Sequence, residues 1–289
     1  MKEAKIIAIG DNVVDKYLSR GKMYPGGQCV NTCVYSLMNG GKPAYLGKFG
    51  DDAVAAYNCM ILEKLGVDFS HSRHFHGENG AAKVTLRDGD RVFLGSNRGG
   101  VAKEHPFDFT EEDLEYIRGY QLIYTNNNSY ILDDLPLLSG TGVPIAFDFS
   151  TEWEDELLNR VCPYIQIALL SCADLTDSER EARMRRVAEY GVKLVVGTVG
   201  EAGSYALYGG EILYAHACHA EQVLDTMGAG DSYFATLLTS LLQDDGELFD
   251  ADPAGMQKRL RTAMQRGAEF AAKVCGMEGA FGYGTPIVD

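Results

Sequence analysis

The sequence alternates short apolar runs with longer stretches in which apolar residues recur at helical spacing. The short apolar runs are typical of strands in a parallel sheet that helices cover on both faces. They lie at residues 5–10, 44–49, 121–125, 144–148, 165–170 and 193–198. Helical spacing is found at 28–38, 53–65, 111–118, 152–160, 178–190, 232–242 and 261–274. The alternation predicts an α/β fold, with a doubly wound, mostly parallel sheet flanked by helices.

Residues 73–102 interrupt this alternation. Two short strand-like runs, 82–86 and 91–94, flank Asp88-Gly-Asp90, which is a hairpin signal. Together with the polar stretch 14–25, they could form a small separate sheet. We therefore expect a single domain over residues 1–289, with a β lid formed by about 14–25 and 73–102. An edge meander of the main sheet is the alternative.

Charge and cysteine content restrict the partners and the compartment. The chain has 41 acidic and 26 basic residues, a net charge of −15, which argues against binding to nucleic acid or to an anionic membrane surface. No apolar run reaches the roughly 18 residues that a membrane span needs. The seven cysteines are odd in number and form no C-x-x-C pair, so neither a disulfide framework nor a structural zinc site is expected. These features predict a cytoplasmic protein.

The stretch Asp225-Thr-Met-Gly-Ala-Gly-Asp231 separates two runs that read as extended, 211–215 and 220–224, from the helical run 232–242. Gly228, Ala229 and Gly230 have almost no side chain, so a ligand can approach the unpaired amides of a helix start, where an anion is favoured. Asp231 in the first turn would repel that anion. The pairing is chemically useful if the anion is a transferring phosphoryl group and Asp231 accepts the proton of the attacking hydroxyl. A glycine-rich turn with an acidic first-turn residue is the alternative.

Several further motifs occur in a fixed order along the chain. Neither a G-x-x-x-x-G-K-[ST] phosphate loop nor a dinucleotide fingerprint is present. Instead, Asp11 follows the first strand, Gly26-Gly27 precedes Asn31, and Thr198-x-Gly-x-x-Gly203 precedes the 225–231 stretch. In this order the motifs resemble those of the ribokinase-type (PfkB) carbohydrate kinase family over essentially all 289 residues.

Within that family, the chain is most similar to the fructoselysine 6-kinase branch. The similarity rests on Gly10-Asp-Asn-x-Val-Asp15-x-Tyr17, Gly26-Gly-x-x-Val-Asn31-x-x-Val-Tyr35, Gly66-Val-Asp-x-Ser-His71, Asp90-Arg-Val-Phe93 and Phe147-Asp-Phe-Ser150.

The resemblance implies roles for individual residues. It makes Asp231 the base, and it makes the amides of Gly228, Ala229 and Gly230 the anion hole. The residues that it assigns to the sugar are Asp11, Gly26, Gly27 and Asn31. Those that it assigns to the nucleotide are Thr198, Gly200 and Gly203, with Asp225 at a monovalent-cation (K⁺) site that only some members have.

One departure from the family affects the metal. An Asn-x-x-Glu motif that helps to place Mg²⁺ in the family is replaced here by Ser171-Cys-Ala-Asp-Leu-Thr-Asp177. Asp174 or Asp177 could substitute as a metal ligand, water could take over, or both residues could only cap a helix. Arg98, in the lid segment, is a further candidate for contact with a charged substrate or phosphate.

The expected function is transfer of the γ-phosphate of ATP, with Mg²⁺, to the 6-hydroxyl of a fructosamine such as fructoselysine. The alternatives are a fructokinase- or ribokinase-like enzyme acting on a free sugar, and a sugar or nucleotide sensor without turnover. Lid strands in this family often pair into dimers, so the resemblance allows a homodimer, and the sequence itself leaves the oligomeric state open.

Overall fold

The computed structural model describes residues 2–87, 90–245, 248–249 and 252–288. In these ranges the strands are β1 (Ile6–Gly10), β2 (Val13–Tyr17), β3 (Lys22–Gly26), β4 (Ala44–Phe49), β5 (Arg73–His74), β6 (Gly80–Arg87), β7 (Asp90–Ser96), β8 (Leu122–Asn126), β9 (Ile145–Asp148), β10 (Ile167–Ser171), β11 (Leu194–Thr198), β12 (Ser204–Tyr208), β13 (Glu211–Ala215) and β14 (Thr285–Pro286). The helices are α1 (Gln28–Met38), α2 (Ala53–Leu65), α3 (Val101–Glu104), α4 (Glu111–Arg118), α5 (Leu135–Ser139), α6 (Asp155–Val161), α7 (Asp177–Glu189), α8 (Ala229–Asp245) and α9 (Pro253–Val274).

The large sheet has the strand order β13-β12-β11-β10-β9-β8-β1-β4-β5. All neighbours from β11 to β5 are parallel, and β12 and β13 add an antiparallel edge. Strand β1 is apolar throughout because its two faces pack into two hydrophobic cores. Ile6 and Ala8 belong to one core, and Ile7 and Ile9 belong to the other. Helices cover both faces, so the predicted doubly wound α/β fold is confirmed. No helix in the described ranges is long and apolar enough to cross a bilayer.

A second sheet of five strands has the order β14-β3-β2-β6-β7. The predicted hairpin appears as β6 and β7, although Asp88 and Gly89 of its turn lie outside the described residues. The predicted limits 73–102 are too wide. Strand β5 pairs in parallel with β4 in the large sheet, and residues 101–104 form α3. The C-terminal β14 joins β3, which the sequence pattern did not indicate.

The predicted extended run 220–224 is also wrong, because these residues form no strand. The amides of Leu224 and Asp225 both donate to the Cys275 carbonyl at the end of α9, instead of forming a ladder with a neighbouring strand. This anchor holds the start of the 225–231 stretch against the last helix.

Asn12 holds the chain where it crosses from the large sheet to the small one. Its amide nitrogen donates to Tyr45 Oη at 2.8 Å and to the Lys48 carbonyl at 2.9 Å, and its amide oxygen accepts from Asn79 Nδ2 at 2.8 Å. Asn12 is 1% exposed. Buried polar groups that are satisfied in this way fix local geometry, so the neighbouring Asp11 is held at the carboxyl end of β1.

Candidate active site

Helix α8 begins immediately after the glycine-rich turn. Ser232 donates its amide to the Gly228 carbonyl at 2.8 Å, which is the first helical bond. The preceding amides of Gly230 and Asp231 lie in the first turn, where a helix has no internal acceptor for them. The Ala229 amide donates to Thr226 O over a longer 3.3 Å. The turn therefore presents amide protons and a helix dipole to an anion.

Gly228 adopts a conformation that other residues avoid, with φ of +74°. A Cβ atom at this position would lie 2.3 Å from Tyr35 Oη and 3.1 Å from Ala280 Cβ. Tyr35 is itself fixed, because its hydroxyl donates to the Ala280 carbonyl at 2.6 Å. Helix α1 and the C-terminal segment thus pack beneath the turn and require glycine there.

Asp231 is the third residue of α8 and is half-buried. Its Oδ2 accepts a 2.6 Å hydrogen bond from Asn31 Nδ2, on α1. Asn31 is 3% exposed, and its Oδ1 has no hydrogen-bond partner among the described residues. The structure therefore brings together two residues that are 200 positions apart in the sequence, the predicted base and a predicted sugar ligand.

Asp11 caps the start of α1. Its carboxylate accepts from the amides of Gln28 at 2.8 Å and Cys29 at 3.1 Å, and from Asn126 Nδ2 at 2.7 Å. Gly27 permits this approach, since a Cβ there would lie 3.0 Å from both Asn12 Cα and Asp11 Oδ2, and its φ is +99°. Asp11, Gly27 and Asn31 thus lie together at the first turn of α1.

Gly26 ends β3 and contacts a different carboxylate. A Cβ atom at this position would lie 2.8 Å from Asp15 Oδ2. Gly26 therefore lies within the small sheet, beside Asp15 of β2, and immediately precedes Gly27, which approaches Asp11.

Sequence reasoning missed two polar residues at this edge of the sheet, Asn126 and Asp148. They end the neighbouring strands β8 and β9. Asp148 is 3% exposed and accepts from Ser150 N at 2.7 Å, Gln28 Nε2 at 3.1 Å and Tyr124 Oη at 3.4 Å. Burial, and then the charges of Asp231 and Asp11, raise its pKa from 3.8 to about 7. The signal was available, because ligands bind at the carboxyl ends of strands in open α/β sheets.

Arg98 lies in the loop after β7, with a left-handed φ of 56°. Its carbonyl accepts from Tyr130 Oη at 2.5 Å. Burial raises the pKa of Tyr130, the Arg98 charge lowers it, and the Asp11 charge raises it again. The charges of both Arg98 and Asp11 therefore act on Tyr130. Arg98 itself is exposed, in the loop that follows β7 of the small sheet.

A cavity of about 680 Å³ lies on the other side of the α8 turn. Thr198, Gly200 and Gly203, the residues predicted for the nucleotide, line it together with Ala229 and Gly230 of the turn. Further parts of the wall come from the stretch 216–220, from one face of α9 (Ala268, Ala271 and Ala272), and from Ser171 and Ala173 after β10. This volume is in the range of pockets that hold cofactor-sized ligands.

Asp225 is 5% exposed and is surrounded by hydrogen-bond donors. Its carboxylate accepts from Tyr17 Oη at 2.7 Å, Met227 N at 3.0 Å and Gly279 N at 3.3 Å, and Arg20 Nη1 lies 3.8 Å away. A monovalent cation needs oxygen acceptors, whereas these groups are donors and one of them is already a cation. The surroundings of Asp225 do not fit the K⁺ ion that the family resemblance implies.

The two candidate metal ligands after β10 differ. Asp177 begins α7 and pairs with Arg180 at 2.6 Å, beside a capping box formed by Thr176 and Glu179. Asp174 is exposed and follows Ala173, which lines the cavity together with Ser171. No cluster of three or more potential metal ligands occurs in the part of the chain that the structure describes. Of the two candidates, Asp174 is the one left to face a metal, through one carboxylate.

The chain matches the sequence profile of the pfkB family carbohydrate kinases over residues 3–282. It belongs to this carbohydrate kinase family. Such enzymes transfer a phosphoryl group from ATP to a sugar hydroxyl, and this chain is accordingly an ATP-dependent sugar kinase.

Two relatives are similar to this kinase in sequence, and one solved structure shares its fold. It is 40% identical to a fructosamine kinase of Bacillus subtilis over 283 residues, which cover 98% of this chain and 94% of the relative. It is 33% identical to a fructoselysine 6-kinase of Escherichia coli, covering 96% and 99% of the two chains. The fructokinase of Xylella fastidiosa, solved with bound ATP, has the same fold, with a TM-score of 0.76 at 17% identity, covering 96% and 94%.

Proposed function

We propose that this kinase phosphorylates the 6-hydroxyl of a fructosamine, such as fructoselysine, with ATP as the donor. One observation supports the position at which we propose that phosphoryl transfer occurs. A single helical turn lines the 680 Å³ cavity through Ala229 and Gly230 and directs the next carboxylate, Asp231, to Asn31 on α1. A nucleotide on one side of this turn and a sugar on the other would meet at Asp231.

In this arrangement the sugar hydroxyl attacks the γ-phosphorus of ATP. The new bond joins the sugar oxygen to phosphorus, the bond from phosphorus to the β,γ-bridging oxygen breaks, and ADP leaves. Asp231 accepts the hydroxyl proton, and its hydrogen bond from Asn31 orients the carboxylate. The first amides of α8 stabilise the negative charge on the transferring group without any reorganisation of water.

Of the two candidate ligands after β10, Asp174 is the one that fits a magnesium ion. Mg²⁺ prefers octahedral oxygen ligands and keeps several waters, so it needs few protein ligands when phosphates are present. Asp174, on the loop beside the cavity, would hold the hydrated ion. Bound there, it would neutralise charge on the β- and γ-phosphates. Asp177 is better explained as part of the α7 start, because it is paired with Arg180.

The small sheet is proposed to act as a lid over the sugar. Strand β2 begins two residues after Asp11 and pairs with β6, and Arg98 follows β7 of the same sheet, where it would contact a charged substrate or a phosphate. Strand β7 also presents Phe93 and Leu94, which are 63% and 51% exposed. Exposed apolar side chains on an edge strand favour pairing with a second copy, so we infer a homodimer through this sheet.

The free cysteine thiols support a cytoplasmic location for the enzyme. All seven cysteines are free in the structure. Free thiols are typical of reducing compartments, so we place the enzyme in the cytoplasm.

The names of the relatives support a fructosamine over a free sugar. The test is ADP release with Mg²⁺ and ATP on a panel of fructoselysine, fructose and ribose, with the phosphate position read by NMR of the product. We expect the highest kcat/KM for fructoselysine, with phosphate on O6. Preference for fructose or ribose would replace the substrate assignment and leave the kinase assignment intact. Binding of sugar and ATP without turnover of any sugar would favour the sensor alternative.

A further inference from the structure

Gln28 and Asn31, at the start of α1, donate hydrogen bonds to three carboxylates from three different parts of the chain. The backbone amide of Gln28 donates to Asp11 at 2.8 Å, and its side-chain amide donates to Asp148 at 3.1 Å. One turn later, Asn31 donates to Asp231 at 2.6 Å. Asp11 and Asp148 therefore lie within the span of a single glutamine, and Asp231 adjoins them.

Among the described residues, the hydrogen-bond donors to the two buried carboxylates, Asp11 and Asp148, are all neutral. Asp11 receives backbone amides and the Asn126 side chain. Asp148 receives the Ser150 amide, the Gln28 side chain and the Tyr124 hydroxyl. The charged groups that act most strongly on Asp148 are Asp231 on α8 and Asp11 after β1, both negative. Buried charges are normally paired, so this cluster has an excess of negative charge.

A second observation points to a missing hydrogen-bond donor at the same place. Asn31 is 3% exposed, and its Oδ1 has no partner among the described residues. The orientation of this amide is fixed by chemistry, because the atom that lies 2.6 Å from Asp231 must be the donor nitrogen. Its oxygen is therefore an unused acceptor on the residue that binds Asp231, and a ligand with an N–H or O–H group can supply the missing donor.

We propose that Asp148, together with Asp11 and Asn31 Oδ1, selects sugars that carry a protonated amine. The ammonium of a fructosamine would supply both the positive charge and the N–H donors that this cluster lacks. The inference rests on the proposed function and adds a residue, Asp148, that determines specificity and does not itself take part in phosphoryl transfer. Free fructose has hydroxyl donors but no charge.

The test compares two substrates that differ in one atom. One is fructoselysine, and the other is its analogue with an ether oxygen in place of the amine. Wild-type enzyme should prefer the amine in kcat/KM by at least about tenfold, the size expected for a hydrogen bond to a charged group. Asp148→Asn should lose most of this preference, so that kcat/KM falls much more for the amine than for the ether analogue. Asp133→Asn, a change of an exposed carboxylate on the surface, should behave like wild type.

Equal losses on both substrates would assign Asp148 a merely structural role, and an unchanged preference would also overturn the inference. Wild-type turnover of neither substrate would instead reject the proposed function. A second measurement needs no variant. Between about pH 6 and 8, where Asp148 ionises, KM for the amine should fall and KM for the ether should stay flat. A flat profile for both would contradict the proposal.

Discussion

Replacing Asp148 by asparagine should change how the stability of the ligand-free protein depends on pH. The pKa of this buried carboxyl is raised from 3.8 to about 7 in the folded state. A group whose folded pKa lies above its unfolded value loses stabilising free energy as pH rises from the unfolded pKa through the folded one. The wild type should therefore be penalised progressively over this range, and the Asp148→Asn variant should not.

The magnitude follows from the size of the shift. The raised pKa of Asp148 should lower the unfolding free energy by about 4 kcal/mol at pH 8 and by about half as much at pH 5.5. The free energy of unfolding of Asp148→Asn minus that of wild type should thus rise by about 2 kcal/mol between these two pH values. The new amide also meets the Gln28 donor, but that cost does not depend on pH and shifts both values equally.

Urea denaturation at the two pH values gives these differences directly, since the midpoint and slope yield the unfolding free energy. Asp133→Asn is the matched control, because its side chain is 97% exposed and its difference from wild type should not change with pH. A difference for Asp148→Asn that is the same at both pH values would refute a raised pKa at this position. The excess of negative charge at the proposed sugar site would then also lack support.

Three further predictions concern the anion-hole turn, the cation site and the small sheet. Gly228→Ala should lower the unfolding free energy by about 2–3 kcal/mol, because the new Cβ would displace Tyr35 and the residue has a positive φ. The control Gly142→Ala, also at positive φ but in open space, should lower it by about 1 kcal/mol. Equal losses in urea denaturation would contradict the packing argument. Kinase rates in potassium, sodium and choline salts should be equal, because donors already surround Asp225; stimulation by potassium would refute this. Phe93→Glu should yield monomers in sedimentation experiments, whereas Leu137→Glu, on α5, should not; a dimer that survives Phe93→Glu would exclude β7 as the interface.

Local signals allowed much of the fold to be predicted from the sequence. Helix α2 is predicted with its observed ends because Asp52 caps the Ala55 amide and Gly66 adopts a left-handed conformation after the last turn. Asp231 is identifiable because the turn that positions it is contiguous with it. In both cases the physical cause lies within a few residues.

Features that depend on distant parts of the chain could not be predicted in this way. Asp148 lies at the site only because β9, β8 and β1 are neighbours in the sheet. The order of strands in a sheet cannot be inferred from the sequence of any single strand. The same holds for β14, which pairs with β3 from the opposite end of the chain. Residues 73–74 are predicted as lid because nothing in the local sequence indicates their pairing with β4 of the large sheet.

The most direct test of the central claim is the turnover of Asp231→Asn with fructoselysine and ATP. Loss of the base should lower kcat by roughly 10²–10⁴-fold, while calorimetry shows sugar binding close to that of wild type. The asparagine retains an oxygen that can accept the Asn31 hydrogen bond, so the fold should persist. Asp133→Asn should retain full activity. Near-wild-type kcat in Asp231→Asn would contradict the assignment of Asp231 as the base at the junction of the sugar and nucleotide sites.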